Sequence, residues 1–244
     1  MSSTTGADRL AGVAAVVTGA SRGIGLATAR AFVQEGARVA LVARSDERLR
    51  DIARSLGPLA SPIACDVADA AAVERATPRI AEALAATPDI LVNNAGAFTI
   101  APVDRMSPAD FASAVQTNLI APFLLMHAFL PAMRARGAGH IVTIGSIADR
   151  TVFPENGAYA ASKHGVRALH EVLRLELRGS GVRATLVSPG PVDTPLWDPI
   201  DPDRREGFTP RTEMLSAEAV ADAIVYAVTR PRDTNIDELR LSRS

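Results

Sequence analysis

Short apolar runs alternate along this chain with segments whose apolar residues recur every three or four positions. The runs cover 13–17, 38–42, 63–65, 89–92, 141–144 and 183–187. Unbroken apolar runs of this length predict strands buried on both faces. A last short strand is predicted over 236–241. Between the runs lie helical patterns. One passes through Leu26, Ala29, Phe32 and Val33 and is closed by Gly36 as a C′ glycine. Ser45 caps a helix over 46–56, and another spans 69–86. Ser107 as N-cap, Pro108 at N1 and Asp110 at N3 open a helix that runs through Asn118 to about Arg134. Pro122 should bend it just after Asn118 by removing one backbone hydrogen bond. Tyr159 and Lys163 open the next helix, which presents Val166, Leu169, Leu173 and Leu177 on one face. Ser216 caps a final helix to Thr229.

Strand and helix in strict alternation predict an α/β fold around a parallel sheet. One domain should span 10–242, behind a flexible polar segment over 1–9. The stretch 195–215 is rich in Pro and Asp and holds the only Trp, Trp197. Loops that long inside compact domains are lids or disordered, and a substrate lid is expected here.

Composition narrows the partners. Apolar residues make up 48% of the chain, enough for a full core, and the net charge of −1 points to neither nucleic acid nor an anionic membrane. A single cysteine, Cys65, excludes an internal disulfide and offers no metal cluster. Residues 1–9 lack the apolar stretch of a signal peptide. The most apolar region, 119–133, is interrupted by Pro122, His127 and Pro131, too short and broken for a membrane span. A soluble cytoplasmic protein is expected. The apolar face of 119–133 fits either core or a homodimer or homotetramer contact.

Chemistry collects where predicted strands end. The first runs into Gly19-Ala20-Ser21-Arg22-Gly23-Ile24-Gly25 and then a helix. Strand, glycine turn and helix together suit a dinucleotide, because glycine lets the backbone approach a pyrophosphate and the helix N-terminus faces its charge. The second strand ends at Ala43-Arg44, with no carboxylate until Asp46. An acid there would read a ribose 2′-hydroxyl, whereas Arg pairs with a 2′-phosphate. Arg44 and Arg22 therefore favour NADP(H) over NAD(H), the alternative being two ordinary surface arginines. Asp66, before Val67, is placed either to accept from an adenine amino group or to cap the next helix. Asn93-Asn94-Ala95-Gly96 suits a cleft wall against a cofactor. Asn118, polar at a kink, reads equally as structural repair or as a water site.

The densest cluster runs from Ser146 to Lys163. Lys163 is the sole lysine among 26 basic residues, and Tyr159 is one of two tyrosines. Residues i and i+4 share a helix face, and a nearby ammonium favours phenolate. A free phenol titrates near 10 and needs such help to exchange protons at neutral pH. Ser146 falls at the carboxyl edge of the sheet, where open α/β folds place their ligands.

Taken together, Thr18-Gly19-x-x-x-Gly23-x-Gly25, Asn93-Asn94-Ala95-Gly96, Asn118, Ser146, Tyr159-x-x-x-Lys163 and Pro189-Gly190 resemble the classical short-chain dehydrogenase/reductase family, over about 10–242. The resemblance implies a single-domain Rossmann fold, a doubly wound seven-stranded parallel sheet with helices on both faces. It implies an NADP(H)-dependent oxidoreductase interconverting a carbonyl and a secondary alcohol. In that reading Tyr159 exchanges the proton, Lys163 lowers its pKa and holds the nicotinamide ribose, and Ser146 polarises the substrate oxygen. Asn118 holds a relay water. Gly19, Ser21, Arg22, Gly23, Ile24, Gly25, Arg44, Asp66, Val67, Asn94, Ala95, Gly96, Pro189, Gly190, Val192 and Thr194 bind the cofactor, and no metal is needed. The C-terminal end lacks the usual glycine-rich finish and resembles the branch containing 3-hydroxy acid dehydrogenases, which puts the usual tetramer contact in doubt. A non-catalytic nucleotide sensor or scaffold, or lyase or isomerase chemistry, stays open on the same fold. The substrate stays open among a 3-oxoacyl thioester, a 3-hydroxy acid and a small ketone.

Overall fold

A computed structural model of the chain describes residues 8–244. The flexible N-terminus expected over 1–9 lies outside these residues except for Asp8 and Arg9. Arg9 is tied down, its backbone N–H and its guanidinium both donating to Glu35.

The strands β1 (Ala14–Thr18), β2 (Arg38–Ala43), β3 (Ala60–Ala64), β4 (Ile90–Asn93), β5 (Gly139–Ile144), β6 (Val182–Pro189) and β7 (Glu238–Leu241) form one sheet in the order β3-β2-β1-β4-β5-β6-β7. Every pairing is parallel. Helices α1 (Gly23–Gln34), α2 (Asp46–Leu56) and α7 (Ala217–Val228) cover one face. The other face holds α3 (Ala70–Leu84), α5 (Ala121–Arg136) and α6 (Gly157–Glu176), with α4 (Pro108–Val115) beside α6. Alternate residues of β1 serve the two cores: Ala15 and Val17 pack with Phe32 and Ile224, while Ala14 and Val16 pack with Ile80 and Phe129. That double burial is why the strands read as unbroken apolar runs.

Three expectations are corrected. β3 begins at Ala60 and contains Pro62, three residues before the predicted start. It is an edge strand, where a missing N–H costs no ladder bond. The helix through Asn118 does not simply bend at Pro122. It passes through a π turn, Gln116–Ile120, in which the Ala121 N–H reaches back to the Gln116 carbonyl. One wider turn absorbs the proline without ending the helix. The helical rod Pro108–Arg136 has about the expected extent, but taken whole rather than as 119–133 it is long and apolar enough by composition to cross a membrane. Its inner face is committed to the sheet, through Leu125, Met126, Phe129 and Met133. The last strand is shorter than predicted, starting at Glu238.

Two histidines lie fully inside this scaffold. His140 on β5 pairs its Nε2 with Thr185 Oγ1 at 2.8 Å, and His170 on α6 pairs its Nδ1 with Thr143 Oγ1 at 3.0 Å. Burial pushes them down to about 3 and about 4. Both are neutral in the folded state at neutral pH, and the unfolded chain takes up their protons first, near pH 6.5. Stability is then complete above pH 6.5 and falls as pH drops toward 4, by up to about 1.4 kcal/mol per pH unit for each histidine. Urea unfolding at stepped pH should show this slope, and it should shrink in His170→Asn.

Candidate active site

The chain leaves β1 and β4 in opposite directions, and the crevice between their carboxyl ends opens into a cavity of about 1130 Å³. Thr18 pins the two strand ends together. Its Oγ1 accepts the N–H groups of Asn94 (2.9 Å) and Ala95 (3.0 Å) and donates to the Val92 carbonyl (3.2 Å). The Asn94 amide donates to the Thr18 carbonyl at 2.8 Å. Gly19 and Gly23 turn the chain with φ of 66° and 54°, a region side chains avoid. Gly25 does not line the cavity. It lies buried beneath the turn, where a Cβ would sit 2.4 Å from the Gly19 carbonyl oxygen. Its role is to let α1 start hard against the strand end. Arg22, the N-cap, makes no side-chain capping bond, and the first turn of α1 carries no acid. Those N–H groups are left to face an anion.

At one end of the cavity stand Arg22, Arg44 and Arg48, all exposed and in no ion pair among the described residues. Arg48 escaped sequence reasoning; it is the third residue of a helix whose start was predicted at this same strand edge. Asp66 lines the cavity with one oxygen engaged by the Ala68 N–H (3.0 Å). The helix cap is Asp69, not Asp66. A glycine cradle, an uncapped helix N-terminus and three free guanidinium groups fit a dinucleotide carrying an extra phosphate. Ser21, Ile24, Val67, Ala95, Gly96, Pro189, Gly190, Val192 and Thr194 line the rest of that wall.

At the other end, Ser146, Tyr159 and Lys163 meet as predicted. The Lys163 ammonium lies 5.6 Å from the Tyr159 ring centroid and donates to the Ile144 carbonyl at 2.8 Å. Asn118 does not reach the cavity. Its Oδ1 accepts from the Ala97 N–H, and its amide donates to the Ala97 carbonyl and Ser162 Oγ, so the side chain is spent on structure. Its backbone carbonyl cannot take the usual i+4 hydrogen bond, because Pro122 has no N–H to offer it.

The family model described as short chain dehydrogenase matches residues 13–205. The chain belongs to that family. It is 37% identical to D-threitol dehydrogenase of Mycolicibacterium smegmatis over 225 residues, covering 89% of this chain and 86% of that one. A metagenomic short-chain oxidoreductase solved with NADP superposes with a TM-score of 0.83 at 34% identity, covering 97% and 99% of the two chains. The closed form of a serine dehydrogenase complexed with NADP+ gives 0.87 at 33% identity, covering 93% and 94%.

In this short-chain dehydrogenase, burial dominates the electrostatics of the pair. It pushes the Tyr159 phenol up to about 12, against the nearby Ser146 hydroxyl, and brings Lys163 down to about 8. The expected lowering of Tyr159 by Lys163 does not lead. The phenol holds its proton at neutral pH, and the ammonium is close to giving its own up.

Asp149 was not anticipated at all. Fully buried, it accepts from the Ser146 N–H (3.3 Å), from Ser188 Oγ and from Arg150 Nε (2.7 Å). Arg150 reaches on to Glu238 of β7. Gly145 makes room, since a Cβ there would lie 2.5 Å from the carboxylate. The local sequence does carry a signal for Asp149, since Ser146 and Asp149 form a capping box, but its bond to Ser188 and the link through Arg150 to Glu238 come from distant strand ends. Its negative charge opposes phenolate at Tyr159 and supports the ammonium of Lys163. Asp149→Ala leaves Arg150 half-paired and two donors without an acceptor. It should cost about 3–5 kcal/mol in urea unfolding.

Proposed function

We propose that this chain is an NADP(H)-dependent oxidoreductase that interconverts a carbonyl and a secondary alcohol, with Tyr159 as general acid and base. The observation that carries this is one cavity with Ser146, Tyr159 and Lys163 at one end and Arg22, Arg44 and Arg48 at the other. NADP-bound relatives of the same fold support the choice of cofactor. Asp66 accepts from the adenine amino group, and Asn94, Ala95 and Gly96 form the wall beneath.

When bound, the cofactor supplies the hydride. The rest falls to the chain. Ser146 Oγ donates to the substrate oxygen and holds it beside Tyr159. The phenol, protonated at neutral pH, gives its proton to that oxygen as the alcohol forms. Lys163, anchored on Ile144, keeps positive charge beside the phenolate left behind. A water on the Asn118 carbonyl returns a proton. The segment 195–215 closes over the substrate. It is braced by Arg211, which pairs with Asp193 and Asp198 at 2.7 Å each and donates to the Thr194 carbonyl. Phe111 and Phe123 on the α4–α5 rod and Val172 and Leu175 on α6 are exposed, and we assign them to a homodimer or homotetramer contact.

Tyr159→Phe should lower kcat by about 10²–10⁴-fold in a carbonyl-reduction assay. NADPH should still bind that variant, as read by enhancement of its fluorescence. Near-normal turnover would end the assignment. Arg44→Ala should weaken NADPH by roughly tenfold or more and leave NADH unchanged, because a charge-assisted contact to phosphate is lost. Equal losses for both nucleotides would point away from a 2′-phosphate contact.

A further inference from the structure

The substrate end of the cavity has an unusual wall. Phe98, Phe153, Tyr159, Trp197 and Phe208 all line it, half of the aromatic residues in the chain. Four of them form a continuous edge-to-face series: Tyr159 to Phe98 at 4.7 Å, Phe98 to Trp197 at 5.1 Å, and Trp197 to Phe208 at 6.2 Å. The Trp197 indole is fixed by donating to the Val192 carbonyl at 3.0 Å.

Four charged residues line this end, Glu155, Arg205, Glu206 and Lys163, and Lys163 is buried and donates to the Ile144 carbonyl. Arg205 is taken, paired with Glu155 and stacked 5.1 Å from the Phe208 ring centroid. Glu206 is exposed and in no ion pair among the described residues. Asn156 lines the same end, is 7% exposed, and its Oδ1 accepts no hydrogen bond. The one cation here without a carboxylate partner among the described residues, Lys163, is buried against the Ile144 carbonyl, while a ligand cation would find the Trp197 ring and the exposed carboxylate of Glu206. Aromatic faces attract ammonium groups through the ring quadrupole, most strongly where water is excluded.

We propose that the substrate is a carbonyl compound carrying an organic cation, an ammonium or quaternary ammonium group, seated against Trp197 with Glu206 beside it. This deepens the function proposed above and rests on it for the reaction, though not for the binding. The cationic group sits on the lid side of the aromatic wall, and the carbonyl points to Ser146 and Tyr159.

Matched isosteres test the idea. Choline and its neutral tert-butyl isostere differ only in charge, and both can be titrated into the NADP+-loaded protein. Binding is read from the fluorescence of Trp197, the only tryptophan. Choline should bind about tenfold more tightly, and Glu206→Gln should shrink that ratio. Turnover with NADPH is then compared for trimethylammonioacetaldehyde, tert-butylacetaldehyde and succinate semialdehyde. The cation should give the highest kcat/KM and the anion the lowest. Equal or tighter binding of the neutral isostere overturns the proposal, as does a ratio that Glu206→Gln leaves unmoved. Preferred binding of choline with no turnover of any aldehyde would uphold the cation subsite and overturn the oxidoreductase reading. Turnover without charge preference would do the reverse.

Discussion

The neighbouring of β1 and β4 is the constraint on which the rest of this molecule depends. These strands are far apart in sequence and adjacent in the sheet, and the chain leaves their ends toward opposite faces. Only there does a parallel sheet leave a crevice that no connection can fill. Thr18 holds that crevice to a fixed width with four hydrogen bonds through its hydroxyl and carbonyl. Gly19 and Gly25 follow from it, since neither position can carry a Cβ without striking Asn94 or the Gly19 carbonyl. The glycine pattern is thus a packing consequence of the clasp as much as an invitation to a phosphate.

Charge is distributed along the cavity with the same economy. Guanidinium groups stand unpaired at one end, and at the other the buried phenol and ammonium, the aromatic rings, Glu206 and the Glu155–Arg205 pair. Burial pushes the Tyr159 phenol up to about 12 and brings the Lys163 ammonium down to about 8. Asp149 sets the balance from below, favouring the charged lysine and the neutral phenol. The pair is therefore tuned by three groups rather than by the two that the spacing reveals.

How much of this could be read beforehand follows from how local each feature is. The strands were legible because double burial forces unbroken apolar runs, and the glycine turn and the Tyr159–Lys163 pair because one turn of chain holds them. β3 was truncated in the reading because Pro62 looks like a breaker; it is harmless only at an edge, and edge position is a property of the whole sheet. The π turn at Gln116–Ile120 was hidden for a similar reason, since Pro122 permits either a bend or a widened turn. For Asn118 the sequence leaves structural repair and a water site equally open, and its amide is seen to serve the Ala97 backbone, a contact across a long loop. Arg48 and the series Phe98, Trp197, Phe208 depend on elements that meet only after folding; Asp149 is marked by its capping-box spacing from Ser146, but its bond to Ser188 is not.

The line from Asp149 through Arg150 to Glu238 ties the Ser146–Tyr159–Lys163 cluster to β7, the seventh strand in chain order. Translation delivers the glycine turn first, then Ser146, Tyr159 and Lys163, and Glu238 only after the α7 layer has emerged. A nascent chain can fold its first strands around the crevice, yet Arg150 waits with one of its two carboxylates missing. The cluster is therefore braced only once β7 has emerged, so a chain stopped short of β7 holds the motif without the ion pair that ties it to the sheet.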